Sequence, residues 1–504
     1  MSTAAAVPTA GAGTGVGAGA VVVVGNGPAA HRFVEALRRR GHRGPVTVLG
    51  AEPTPAYHRP LLLSVLDGTL SAGALALAPP PSGVSVRTST AVTGVDRRRR
   101  LVRTADGADH PYDTLVLATG SRPRSPGFEG PDVRVARTLD GAAPPAEGPV
   151  VIAGGGLRGI ATAAALRRAG HEVTLVHPDP RLAHRDLDAT ASAVVAAALE
   201  RAGVVLETGR RVVGREEGKA LLDDGRLSAA STLLVCAGEV PETGPARAAG
   251  LPVRRGVLVD ERLRTADPYV RAIGDCAEPA GPYPDAADGP SLASAWEQAE
   301  ALATLLTGGD AAHRPARRVL RPDIAGLDLT VVGPRGALLA EPEPGEESVT
   351  LSDPARGRYA RLLLRGERIH AGIVVGLPRA GAAVGRLYAE DRPVQSDRLA
   401  LLLGTAGGYA ASGELPDTAV VCQCNGVTVG TLKLAWREGA REPADLAAAT
   451  RATTGCGTCG PAVGRLCERL ARTPAEAGAA EAEAGDAPDA GADPAHPTEG
   501  RASA

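Results

Sequence analysis

The sequence predicts an α/β protein built on two parallel βαβ units, followed by a small α+β region and a short helical module that carries paired cysteines. Three observations lead there. A strand, glycine loop, helix and strand are legible in "VVVVGNGPAAHRFVEALRRRGHRGPVTVLGAE". The same pattern returns about 130 residues later in "VVIAGGGLRGIATAAALRRAGHEVTLVH". Near the end, "VVCQCNGVT" and "TTGCGTCGPAVG" place two cysteine pairs in an otherwise cysteine-poor chain. At 504 residues the chain exceeds one ordinary hydrophobic core, so several domains are expected.

Composition excludes some classes of function. The formal net charge is −2, and no basic stripe is interleaved with aromatic residues, which argues against a nucleic-acid partner. No apolar run approaches the roughly 18 residues of a membrane span. The start, "MSTAAAVPTAGAGTGVGAGA", lacks the basic and uninterrupted apolar regions of a signal peptide. A cytoplasmic location is therefore expected, where thiols stay reduced and two disulfides among the clustered cysteines are disfavoured. Lysine occurs only at Lys219 and Lys433, and the abundance of Ala, Arg, Gly and Pro reads as coding bias.

Along the chain, residues 1–19 are Ala/Gly-rich and residues 473–504 form an Ala/Glu/Asp/Pro tail; neither composition can bury a core. In the first βαβ unit Pro28 suits the first helical turn, Ala30, Phe33, Val34 and Leu37 share one face, and Gly41 suits the stop. Gly170 has the same place in the second unit. Beyond about residue 330, "RYARLLLRGERIHAGIVVG" reads as strands, and a helix is expected over about 379–405. "GGYAASGELPD" then reads as a linker into the cysteine module.

The glycine loops carry the first chemistry. Gly25 and Gly27, with Ala30, allow a tight turn, a close backbone approach to a pyrophosphate, and packing of helix on strand. The helix N-terminus then faces the phosphates. Gly154, Gly156 and Gly159 repeat the pattern, so both units are expected to be Rossmann-like dinucleotide-binding domains. One such match is weak evidence; two in full strand-loop-helix context are much stronger. The acidic residue expected after the next strand is Glu52 in the first unit. His177, followed by Asp179 and Arg181, holds that place in the second, which leaves NADH and NADPH both open.

"GNGPAAHRFVE", "AYHRPLLLSVLDG", "LVLATGSRPR", "IAGGGLRGIATAA", "LRTADPYVRAIGDCAE" and "AWEQA" together resemble the FAD-dependent pyridine nucleotide-disulfide reductase superfamily. The nearest likeness is to the flavoprotein half of NAD(P)H nitrite reductase large subunits and to the electron-transfer subunit of assimilatory nitrate reductase. The resemblance implies an FAD domain of residues 20–135 and 245–329, interrupted by an NAD(P)H domain of residues 136–244, and then a small α+β interface domain of residues 330–409. It implies FAD contacts from Gly25, Gly27, Ala30, Glu52, Arg59, Thr119, Gly120, Asp275 and Trp296. Gly154, Gly156 and Gly159 would hold NAD(P)H. Thr119, Gly120 and Ser121 would mark the crossing between the domains. Asp275 would accept a ribityl hydroxyl, its alternative being a helix N-cap; Trp296, Glu297 and Gln298 would open the helix near the isoalloxazine, the alternative for Trp296 being a core aromatic. No side chain is assigned as catalytic, because hydride transfer is borne by the flavin.

Two departures stand out. Where relatives carry "LSK", this chain has Leu63 and Ser64, and Ala161 replaces the glutamate of "GGGLLGLEAA". Both charged residues are expected beside the flavin and nicotinamide, so their loss predicts a more apolar site.

Four cysteines spaced C-x-C, 31 residues, then C-x-x-C suit either tetrahedral zinc or an iron-sulfur cluster. The short first pair departs from the usual two C-x-x-C knuckles of structural zinc. Residues 417–472 resemble the [2Fe-2S] domain of bacterioferritin-associated ferredoxin, which implies Cys422, Cys424, Cys456 and Cys459 as ligands. By that likeness Gly455, Gly457 and Gly460 would turn backbone N–H groups toward the sulfurs, and Pro461 would start the closing helix. Cys236, Cys276 and Cys467 are read as small buried residues.

A nicotinamide delivers two electrons and a [2Fe-2S] centre takes one, with flavin able to mediate. The expected function is therefore electron transfer from NAD(P)H through FAD and [2Fe-2S] to a separate terminal reductase subunit, nitrate- or nitrite-reducing. The sirohaem and [4Fe-4S] portion of a complete nitrite reductase is absent from this sequence, so this chain alone is not expected to reduce nitrite. An alternative is an amine- or opine-type oxidoreductase subunit with the same cofactors. Another is a non-enzymatic redox sensor or iron-release partner. Self-association into a homo-oligomer is left open.

Overall fold

The computed structural model describes residues 19–472 apart from 125, 126, 128, 131, 282–290, 325, 395, 396, 405–416, 418, 423, 424 and 455–458. The expected disordered ends and nearly all of the expected linker lie outside the described residues. So do Cys424, Cys456, Gly455 and Gly457.

The first sheet is parallel, in the order Val270–Ala272, Thr114–Leu117, Val21–Val24, Val46–Leu49, Val84–Arg87. Val21–Val24 is buried on both faces, as a central parallel strand requires. Helix Pro28–Arg39 begins with proline at its first position, where no N–H is needed. It ends where Gly41, at φ 91°, donates to Arg38 O and His42 N donates to Leu37 O. Its inner face, Ala30, Phe33, Val34 and Leu37, joins a core that also takes Ala299, Leu302 and Ala303 from helix Leu292–Leu306. The chain thus leaves this core and returns to it.

The second sheet repeats the plan. Its order is Val205–Thr208, Val173–His177, Val150–Ala153, Thr232–Val235, Val133–Arg134, again parallel throughout. Helix Leu157–Arg168 follows the second glycine loop. Each sheet is accompanied by a three-stranded antiparallel ribbon, Val92–Asp96 with Leu101–Thr104 and Asp109–Pro111 in one, Val212–Glu216 with Lys219–Leu222 and Leu227–Ala229 in the other.

A six-stranded sheet follows, ordered Val319–Leu320, Leu327–Val332, Arg368–Val375, Arg358–Arg365, Glu346–Asp353, with Asp323–Ile324 paired to Leu327–Val332. Leu329, Val331, Leu363 and Ile373 pack into the core of the second unit, while Leu362, Leu364 and Val374 pack on helix Pro378–Ala389. Burial on both faces explains the continuous apolar run in "RLLL". The single helix expected over 379–405 is corrected: helix Pro378–Ala389 ends and a short helix Arg398–Leu402 follows. Pro393, between them, cannot donate the N–H that a continuous helix needs and pairs instead with Arg368.

The C-terminal module contains helices Val429–Arg437, Pro443–Thr450 and Gly460–Arg472 with a short ribbon, Val420–Cys422 against Val427–Thr428. The expected closing helix is present. Among the described residues, no helix is long and apolar enough to cross a membrane.

Candidate functional site

The two glycine loops have the same geometry. Gly25 and Gly154 sit at φ 109° and 121°, where a side chain would strike the carbonyl oxygens of Ala118 and Cys236 at 2.2 and 2.5 Å. Only glycine fits there. At Gly27 and Gly156 the reverse holds: a Cβ would meet nothing within 4 Å. Each is an open cradle at a helix N-terminus, with backbone N–H groups free to face an anion. At the third position Ala30 is fully buried. Gly159 is obligatory, since a Cβ there would lie 1.8 Å from Gly154 O. This is the close approach of helix to strand that the motif predicts.

Glu52 and Arg59 come together beyond the first loop. Arg59 Nη2 donates to Glu52 Oε1 at 2.6 Å, and the Tyr57 hydroxyl donates to Oε2 at 2.7 Å. Burial pushes the Tyr57 phenol up, which keeps it a neutral donor. In the second unit His177 Nδ1 accepts from Gly155 N at 3.0 Å, and its Nε2 lies 3.0 Å from His184 Nδ1. Burial, and then the neighbouring His184, lower the His177 imidazole to about 4. It is neutral near pH 7 and braces the glycine loop.

The units meet at a two-stranded ribbon, Ser121–Pro123 against Glu239–Pro241. Thr119 Oγ1 donates to Glu242 O at 2.5 Å, and Gly120 takes φ 70° to make the turn. A charged network gathers around it. Ser121 Oγ lies 3.2 Å from Asp275 Oδ2 and 3.0 Å from Glu239 Oε2, and Arg137 Nη2 donates to Ser121 Oγ at 2.8 Å. Arg158 Nη1 approaches Glu239 Oε1 at 2.5 Å. Burial raises the Asp275 carboxyl and lowers the Arg137 guanidinium, each opposed by its partner charges. Asp275 occupies a short 3₁₀ turn, Gly274–Cys276, and caps no long helix. The expectation of a more apolar site needs revision. Ala161 is buried on helix Leu157–Arg168, and helix Leu62–Leu66, which bears Ser64, packs against it. One turn from Ala161, however, Arg158 brings a charge paired with Glu239. Sequence reading missed Arg137, Arg158 and Glu239, for no motif marks them.

Trp296 does not open its helix as expected, because Ser291 caps it one turn earlier and the helix begins at Leu292. The residue is 6% exposed, and among the described residues its Nε1 has no acceptor. The Arg32 guanidinium lies over its ring, 5.6 Å from the centroid. Its neighbours divide: Gln298 Oε1 turns inward to accept from Gly274 N at 2.6 Å, while burial raises the Glu297 carboxyl.

In the module, Cys422 and Cys459 are buried in one core. Thr453 N donates to Cys459 Sγ at 3.2 Å, and Asn425 Nδ2 lies 3.8 Å from Cys422 Sγ. Hydrogen bonding with Cys459 is the main cause that lowers the Cys422 thiol to about 6, into thiolate range. Cys236, Cys276 and Cys467 behave oppositely, burial raising all three.

With this geometry in hand, the pyridine nucleotide-disulphide oxidoreductase family matches residues 19–299, and the BFD-like [2Fe-2S] binding domain matches residues 420–469. The chain belongs to the pyridine nucleotide-disulphide oxidoreductase family. It is 29% identical over 465 residues to a nitrite reductase [NAD(P)H] of Bacillus subtilis (strain 168), covering 88% of this chain and 56% of the relative. It is 26% identical over 462 residues to the assimilatory nitrate reductase electron transfer subunit of the same organism, covering 88% and 58%. The oxidoreductase thus spans little more than half the length of these curated relatives. Among solved structures, the covalent putidaredoxin reductase–putidaredoxin complex matches with a TM-score of 0.67 and 29% identity, over 74% of this chain and 94% of that one.

The oxidoreductase is FAD-dependent, uses NAD(P)H, and carries a [2Fe-2S] module. The residues present fit these groups: two open cradles suit two pyrophosphates, the unpaired Trp296 Nε1 offers a donor, and the lowered Cys422 thiol offers a thiolate.

Proposed function

We propose that this chain oxidises NAD(P)H and passes the electrons, by way of FAD and then [2Fe-2S], to a separate nitrate- or nitrite-reducing partner. When bound, these groups supply hydride donation, two- to one-electron conversion, and one-electron delivery. The protein supplies position, orientation and charge.

In this reading residues 20–135 and 245–329 hold FAD, with Gly27 at the pyrophosphate, Glu52 and Arg59 beyond it, and Thr119, Gly120, Asp275 and Trp296 toward the ring. Residues 136–244 hold NAD(P)H on Gly154, Gly156 and Gly159. Residues 330–409 form an interface domain whose sheet also takes in Val319–Leu320, Asp323–Ile324 and all of Leu327–Val332, and 417–472 bind the cluster through Cys422, Cys424, Cys456 and Cys459. Arg137 shares its charge between Asp275 and Glu239, which keeps both carboxylates oriented at the crossing. The observation that carries the reading is the ribbon of Ser121–Pro123 with Glu239–Pro241, which places two glycine cradles on either side of one crossing. The nitrate and nitrite reductase names of the relatives support the choice of partner.

Anaerobic mixing of the FAD- and [2Fe-2S]-loaded protein with NADH or NADPH tests it. Prompt bleaching of the flavin, then of the cluster, and nitrate or nitrite reduction only when a partner reductase is added, are expected. No bleaching with either nucleotide, or conversion of nitrite to ammonia by this chain alone, would overturn it.

A further inference from the structure

The cysteine module has a core of its own, including Cys422, Val427, Leu432, Leu446, Val463 and Cys467. Among the described residues, nothing from outside 421–470 enters that core. Among the described residues it reaches the first dinucleotide unit through a charge contact: Arg451 Nη2 donates to Glu35 Oε2 at 3.1 Å. The two residues are 416 positions apart.

Both ends of this contact are placed to matter. Glu35 lies on helix Pro28–Arg39, which leaves the first glycine loop. Arg32, three positions earlier and on the same face, reaches over the Trp296 ring and pairs with Glu300 at 2.8 Å. Glu35 also lies 3.8 Å from His31, and His58, beside Arg59, feels the charge of Arg451. The module therefore touches the first unit on the side that carries Trp296.

At the other end, Arg451 follows helix Pro443–Thr450 in the left-handed conformation, at φ 65°. Its carbonyl accepts from Asn425 Nδ2 at 2.5 Å, and that same nitrogen reaches Cys422 Sγ. Two residues on, Thr453 N donates to Cys459 Sγ. The backbone of Arg451 thus belongs to the sulfur cage and its side chain to the contact with helix Pro28–Arg39. Few residues could transmit docking to the cluster loop more directly.

We propose that the Arg451–Glu35 ion pair is a docking latch that seats the [2Fe-2S] module against the flavin-binding unit, with Arg451 a positioning residue for electron passage between the two centres. The inference rests on the reading that the module takes its electrons from FAD. Arg451 is 42% and Glu35 18% exposed, so the pair biases docking modestly and weakens with salt. A latch of that strength holds the module reversibly, so that it can both receive an electron and present it to a partner.

The left-handed backbone supplies a clean test. Arg451→Gly removes the guanidinium and keeps a conformation that glycine adopts freely, while Glu35→Gln removes the charge from the other side. With the fully loaded protein, stopped flow would follow cluster reduction after NAD(P)H addition at low and high ionic strength. Each variant should slow it roughly two- to five-fold, the double variant should be no slower than either single one, and the salt dependence of the wild type should vanish. In Glu35→Gln, which leaves the sulfur cage untouched, flavin bleaching, iron and sulfide content should be unchanged. Small-angle scattering on the same samples should give a larger radius of gyration for the variants and for the wild type in high salt. Unchanged dimensions together with unaltered or additive rates would overturn the latch. If the wild-type cluster took no electrons from flavin, the underlying reading would fall instead, and scattering would still decide whether the pair docks the module.

Discussion

Arg137 Nη2 lies 3.3 Å from Asp275 Oδ2, joining residues 138 positions apart at the crossing between the dinucleotide units. Both are nearly buried, at 12% and 18% exposure, so the Asp275 charge depends on Arg137, while Glu239 gives Arg137 a second counter-charge and opposes the charge on Asp275. Asp275→Ala should destabilise the fold by about 3 kcal/mol, the usual scale for breaking a buried pair, and lower FAD retention. Asp275→Asn, which keeps the hydrogen bond to Ser121, should cost less. Thermal unfolding and flavin content of the purified variants check this; equal effects would show that charge alone matters.

The two kinds of glycine in the second loop should separate binding from folding. A Cβ at Gly156 meets no protein atom within 4 Å, so Gly156→Ala should leave the melting temperature nearly unchanged. It would nonetheless fill the cradle and reduce kcat/KM for NAD(P)H on the order of 100-fold. Gly159→Ala drives a methyl into Gly154 O and should instead lower stability, by about 1–3 kcal/mol. Calorimetry and steady-state dye reduction measure the two effects separately.

Cys459→Ala removes a buried sulfur from the module while leaving both glycine loops untouched. Iron and inorganic sulfide should be lost. Flavin bleaching by NAD(P)H, and reduction of two-electron dyes, should persist, while transfer to a one-electron protein partner collapses. Metal analysis with stopped-flow absorbance reads all of these.

His177 provides a pH dependence. Its folded imidazole is lowered to about 4, below its ordinary value, so the unfolded chain binds the extra proton first. Its contribution is fully present above about pH 6.5 and is lost as pH falls toward 4. His58, lowered to about 4 chiefly by burial, adds in the same sense. The melting temperature should therefore fall across this window, less steeply in His177→Asn, whose side-chain oxygen can still accept from Gly155 N. An identical slope in the variant would remove His177 from the account.

Much of this protein is legible locally. Gly25, Gly27, Gly154, Gly156 and Gly159 follow from backbone sterics over six residues, and Pro28, Gly41 and the apolar face of Phe33 and Leu37 follow from helix period and termination. The cysteine spacing likewise narrows the module to zinc or an iron-sulfur cluster before any fold is known, and the BFD-like resemblance chooses the cluster. Pro393 was legible too, and a continuous helix across it ignored the missing N–H. Only tertiary structure decided the rest. Arg137, Arg158 and Glu239 carry no motif, and become a network because two chain crossings pair as a ribbon. Arg451 and Glu35 are ordinary surface charges until two separately folded cores bring them to 3.1 Å. Sequence patterns report conformations set within a turn or two of helix, whereas charge partners are chosen by burial and by proximity across the whole chain.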